Sequence, residues 1–127
     1  MKDRDFLARV QELGGLATPK EARRWATEVL RALAHLLPEA QVRRHFISQL
    51  PGTLKARLLA EPPRGLVMDR GAFVQHVAAA LEVHAAEGER ALRIVYRVLK
   101  EAVSPGQLAE VEAHIPKDIT TLLEKKE

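Results

Sequence analysis

The chain has 127 residues, 46% of them apolar but only 4% aromatic, with 29% charged and a net charge of +3. Such a length and charge content exclude wholesale disorder and describe one folded domain whose core Leu, Val and Ala must build. The absence of cysteine excludes disulfides and thiolate metal sites; without an apolar run of membrane-spanning length or a signal-like start in MKDRDFLARV, a soluble cytoplasmic protein is expected.

A first helix is predicted from about Asp3 to Leu13, with Phe6, Val10 and Leu13 on one face, Asp3 as N-cap and Gly14-Gly15 as the stop. Thr18-Pro19-Lys20-Glu21 reads as a capping box opening a second helix that runs to Leu37. Ala22, Trp25, Ala26, Val29, Leu30, Leu33, Leu36 and Leu37 form its apolar stripe, with Arg24, Glu28, Arg31 and His35 opposite. After Pro38 a third helix is expected from about Glu39 to Gln49, burying Val42, Phe46 and Leu50. Pro51-Gly52 breaks it, and a short helical turn around Leu54 and Leu58 closes the unit.

Glu61-Pro62-Pro63-Arg64-Gly65 is the strongest breaker and the expected hinge, with Gly65-Leu66-Val67-Met68 packing as an apolar bridge between halves. Asp69 caps the next predicted helix, which carries Phe73, Val77 and Leu81. Its long successor runs from about Ala86 to Val103. Ser104-Pro105-Gly106-Gln107 is a second capping box, starting the helix of Leu108, Val111 and Ile115. Pro116 and an Ile119–Leu123 turn end the second unit, and residues 124–127 read as a fraying tail.

The same apolar skeleton is thus written twice. Phe6, Val10 and Leu16 recur as Phe73, Val77 and Val83, about 67 positions on. Val29, Leu30, Leu33, Leu37 and Val42 recur as Val95, Tyr96, Leu99, Val103 and Leu108, about 66 on. Leu50, Pro51, Leu54 and Leu58 recur as Ile115, Pro116, Ile119 and Leu123, about 65 on. The predicted fold is all-α: two tandem repeats of three helices plus a short helical turn, packed as one pseudo-twofold bundle. Repeat one covers about residues 3–60, the Pro-rich linker 61–68, and repeat two about 69–124 of a single domain, 1–127. Halves of about 60 residues are near the lower limit for a self-sufficient core, so they are expected to share one.

Phe73 to Val77, Ala91 to Leu99, Val103-Ser104-Pro105-Gly106-Gln107 and His114-Ile115-Pro116-Lys117-Asp118-Ile119 resemble the family called domain of unknown function 2267. Ile47-Ser48-Gln49-Leu50-Pro51-Gly52-Thr53-Leu54 carries the likeness in the first half. The resemblance covers nearly the whole chain and implies an uncharacterised bacterial two-repeat helical protein. The linker departs from the family, being shorter and richer in proline.

Chemistry is harder to find. His35, His45, His76, His84 and His114 make no Glu-x-x-His or His-x-x-x-His pair on an inward face, so neither a metal nor another cofactor is expected. Ser48 and His45 stand at i, i+3 without an orienting acid. Glu87/Glu89 and Glu110/Glu112 are two apart and point in different helical directions. No catalytic constellation results, and the expectation is a non-enzymatic helical module binding a protein partner, or itself, where the repeats meet.

The alternative is nucleic-acid or anionic-ligand binding. Residues 1–60 carry eleven Lys/Arg against six Asp/Glu, while 61–127 carry nine against eleven, so the first half is the basic one. Arg24 and Arg31 on the second helix, with Arg43 and Arg44 on the third, form the candidate anionic-partner patch. Trp25 is read as core or as an interface anchor; its counterpart in the second half is Ala91.

Overall fold

Caps, glycines and prolines set most of the element boundaries. The structure, a computed structural model, describes residues 1–61 and 64–125. Among them are eight helices: α1 (Asp3–Gly14), α2 (Pro19–Leu36), α3 (Ala40–Ser48), α4 (Gly52–Leu59), α5 (Arg70–Leu81), α6 (Ala85–Ala102), α7 (Pro105–Glu112) and α8 (Lys117–Glu124). No strand occurs among the described residues, and the protein is an all-α helical bundle. Pro62 and Pro63 of the expected hinge, and Lys126 and Glu127 of the expected tail, lie outside the described residues.

The local rules hold at several starts. Thr18 accepts from the Glu21 amide at 3.2 Å, although only this half of the expected box is formed among the described residues. Asp69 accepts from the Ala72 amide at 2.8 Å. Ser104 and Gln107 make the complete reciprocal box. At the end of α1, Gly15 takes the left-handed conformation (φ 62°), and Leu16 donates back to the Gln11 carbonyl at 3.0 Å.

Four expectations are corrected. The two expected short helical turns are helical but longer than a turn, forming α4 and α8 of eight residues each. Asp3 does not cap its own helix: its carboxylate reaches across to the start of α4, accepting from the Thr53 amide at 2.7 Å and from the Thr53 hydroxyl. Positive end-dipole and free amides make that distant helix start as good a home for a carboxylate as its own. The stretch from Gly65 to Met68 is not an apolar bridge along its length. Leu66 donates its amide to the His35 carbonyl at 2.6 Å and Met68 packs on the core, but Val67 stands wholly in solvent. Val42 is half-buried rather than buried.

The long helices α2 and α6 form the centre, each lying against the other. Around them α1 packs on both α2 and α6, and α5 packs on both α6 and α2. Helix α4 touches α1, α8 touches α5 and α6, and α3 touches α7. Phe6, Val29, Leu30, Leu33, Phe73, Val95, Tyr96 and Leu99 lie in one continuous core, all fully enclosed. Full burial of side chains of this size contributes about 1.5–3 kcal/mol each, which favours one shared interior over two small ones.

Polar ties join α1 to α6 as well. Arg9 on α1 holds Glu101 on α6 through two bonds of 3.0 and 2.8 Å. Arg90 on α6 donates to the Gly14 carbonyl at 2.9 Å, satisfying a helix end that would otherwise need water. Deeper in, burial and the carboxylates of Glu112 and Glu124 push the Tyr96 phenol up, so it stays neutral.

Candidate functional site

Basic residues scattered along 34 positions of sequence are brought to one recess by the turn at Pro38 and by the return of α4 beneath α3. The recess lies between α2, α3, α4 and the start of the linker and encloses about 100 Å3. Ala34, Ile47 and Leu58 supply an apolar floor, while Arg31, Arg43, Arg44, Arg64 and His35 supply the polar lining with Glu61.

These arginines differ in their commitments. Arg31 is clamped by Glu61, which accepts from Nε at 2.9 Å and from the terminal nitrogen at 2.7 Å, and by Glu28 on the preceding turn. Those carboxylates, Glu61 foremost, raise its pKa against the burial that lowers it. Arg43 donates to the Leu37 carbonyl at 2.6 Å, tying off the end of α2, yet its buried Nε has no hydrogen-bond partner. Arg44 and Arg64 are exposed and make no hydrogen bond or ion pair among the described residues.

Gly65 is pressed over this group. A Cβ there would come within 3.1 Å of an Arg43 terminal nitrogen. His35 sits half-buried at the back; burial pushes its pKa down, with Glu61 opposing and His76, Arg64 and Arg31 adding to the fall. Its Nδ1 is buried with no hydrogen-bond partner. The recess therefore presents two uncommitted guanidiniums, one partly committed and one neutralised, over an apolar floor.

Of the sequence-derived patch, Arg31, Arg43 and Arg44 converge here. Arg24 does not: it lies two turns back on α2, against the end of α5, near the Ala80 carbonyl at 3.4 Å and Glu82 at 3.7 Å. Trp25 is taken up by the core, 9% exposed, with the Arg90 guanidinium 5.8 Å from its ring centre. Arg64, His35 and Glu61 join the recess without having been singled out. His35 and Arg31 share the polar side of α2, a signal that was available; Arg64 follows two prolines, where no periodicity exists to orient it.

Other chemistry takes specific forms elsewhere. The Ser48 hydroxyl donates to the His45 carbonyl at 2.6 Å rather than pairing with its ring, whose Nδ1 faces Glu110 at 3.4 Å. No group of three or more His, Asp or Glu side chains arranged to hold a metal occurs among the described residues. No helix among them is long and apolar enough to cross a membrane.

A helical bundle with two long central helices, eight helices among the described residues, and a basic recess is the class of protein these features define. Residues 3–122 match the family described as Uncharacterized conserved protein (DUF2267), and the chain belongs to that family. No curated protein matches it.

Proposed function

We propose that the protein is a non-enzymatic binding module whose ligand presents a phosphate or carboxylate group to the recess between α2, α3 and α4. The convergence of four arginines on a recess whose one acid among the described lining residues is Glu61 carries this reading. A guanidinium offers parallel N–H donors matched to an oxyanion, and the apolar floor strengthens each such bond by lowering the local dielectric. Arg43 Nε, buried and unsatisfied, adds a donor that a bound oxyanion would satisfy.

Docking of an apolar partner face, or self-association through one, has less support. Met1, Leu59 and Val67 are the large apolar side chains that stand exposed among the described residues. Base stacking has none: Phe6, Trp25, Phe46, Phe73 and Tyr96 are all buried, so a single-stranded nucleic acid would find no aromatic platform. The ligand we favour is a small oxyanionic molecule, met in the cytoplasm, where a cysteine-free chain is at home.

We further propose that the two halves are copies of one unit related by a pseudo-twofold axis. In support, α1 and α5 are both 12 residues long, α2 and α6 both 18, and α4 and α8 both 8. The crossed packing of α1 on α6 and of α5 on α2 has the reciprocity such an axis requires.

Titration with inorganic phosphate, followed by amide NMR at low salt, tests the ligand reading. Saturating shifts are expected at Arg44, Ile47, Leu59 and Arg64, and Arg44→Glu with Arg64→Glu should abolish them. Linear, unsaturating shifts spread over all surface arginines would refute it.

A further inference from the structure

A second groove lies between α6 and α8, enclosing about 590 Å3 and lined by Arg93, Arg97, Lys100, Glu101, Leu123, Glu124 and Lys125. Its position follows a register. Arg31, Ala34 and His35 of the first recess lie 66 residues before Arg97, Lys100 and Glu101. Leu58 and Leu59 lie 65 before Leu123 and Leu59's counterpart, Glu124. These are the same two offsets that relate the long helices and the last short helices of the two halves. The long helix and the last helix thus line a cleft in each half, with Arg31 and Arg97 at counterpart positions, although the uncommitted cations of the first recess come from α3 and the linker.

The second cleft has an internal clamp of its own, at positions that are not the counterparts of the first. Lys100 on α6 meets Glu124 at the end of α8 at 2.6 Å, as Arg31 on α2 meets Glu61 just past α4. Of the other acid in the lining, Glu101, the carboxylate is drawn off to Arg9, whose two bonds hold its pKa below the usual carboxylate range. Arg97 and the Lys125 ammonium are exposed and make no hydrogen bond or ion pair with a described residue. Arg93, Arg97 and Lys100 stand at i, i+4 and i+7 along one face of α6, a row about 10 Å long whose first member is already paired with Glu89 at 3.2 Å.

We propose that this groove is a second anion site, taking a ligand with at least two linked phosphates. A row of that length exceeds a single oxyanion, whereas linked phosphates engage Arg97 and Lys125 together and compete with Glu124 for Lys100. The site stands on its own residues; only its ligand class rests on the proposed function above. The chain then carries one anion site per half, of unequal size: a narrow recess in the first and an open row in the second.

The test is a titration of the full chain with inorganic pyrophosphate, reading stoichiometry by calorimetry and location by amide NMR. Two equivalents are expected, with shifts both at Arg44 and Arg64 and at Arg97, Lys100 and Lys125. Arg97→Glu with Lys125→Glu, both on exposed positions, should weaken the second event about tenfold or more and leave the first unchanged. Arg44→Glu with Arg64→Glu should do the reverse, so failure of the first site leaves the second separately visible. Unmoved Arg97, Lys100 and Lys125 resonances, or unchanged binding in the Arg97→Glu/Lys125→Glu chain, would overturn the proposal.

Discussion

Gly88 on α6 is where a single methyl group should matter most. A Cβ built there would meet Ala78 Cβ at 2.8 Å, Ala78 Cα at 3.0 Å and the Ala78 amide nitrogen at 3.1 Å. Two of those three atoms are backbone of α5 and cannot rotate aside. Overpacking of this kind costs about 1–3 kcal/mol, and the rigid opposition places Gly88→Ala in the upper part of that range. Against it stands the helix-propensity gain of alanine over glycine, about 1 kcal/mol. The balance is a loss of about 2 kcal/mol. In urea, with a slope of about 1–3 kcal/mol per molar, the midpoint should fall by roughly 1 M. Trp25 fluorescence reports the transition from the other half of the same core. Because α8 rests on both α5 and α6, the widened pair should also disturb amides around Leu123. Ala78→Gly should cost less in the Gly88→Ala chain than in the parent, since it removes one of the clashing atoms. A Gly88→Ala protein as stable as the parent, or more so, would refute the argument.

Three further outcomes are expected. Glu82 ends α5 at φ 58°, in the left-handed region where Gly15 ends α1; Glu82→Gly should stabilise the fold by about 1 kcal/mol in thermal or urea unfolding. Its ion pair with Arg24 is exposed and contributes little against that gain. Glu61→Gln releases the Arg31 guanidinium and removes the one acid of the first recess. Phosphate affinity at low salt should rise by on the order of 1 kcal/mol, about fivefold, and calorimetry will show no rise if the recess is not the site. His35 titrates lower folded than unfolded, because burial disfavours its charged form. Its contribution is therefore complete above about pH 6.5 and declines as pH falls from there through the folded-state pKa. Unfolding free energies at pH 8 and pH 5.5 should show a part of the acid loss that His35→Gln lacks.

Helices announced by local chemistry were readable without coordinates. Thr18, Asp69 and Ser104 sit where short-range hydrogen bonds demand a cap, and α2 and α6 carry stripes long enough to leave no doubt of their period. Helices α4 and α8 were legible only as short helical turns, because eight residues carry only two or three apolar anchors, too few to fix the length of a helix. Asp3 misled for a different reason: its partner, Thr53, is fifty residues away, and no local rule points there. The left-handed Glu82 carries no glycine to mark it. Within the candidate site, Arg24 and Arg31 share a helix face but stand two turns apart, about 10 Å, so they face different neighbours. Arg64 lines the recess with Arg31, His35, Arg43 and Arg44 of α2 and α3, 20 or more positions away, a tertiary proximity no local pattern reports.

The crossed packing of α1 on α6 and of α5 on α2 has a bearing on origins. If the halves are copies, the ancestral unit had no complete interior of its own and must have folded as a homodimer, each chain closing the other. Fusion through residues 61–68 would then have turned an association governed by concentration into one governed by a tether, with an effective local concentration in the millimolar range or above. Freed from the need to be self-complementary, two such faces would be able to diverge, and the contrast between Trp25 and Ala91, or between His35 and Glu101, is the kind that such release would leave.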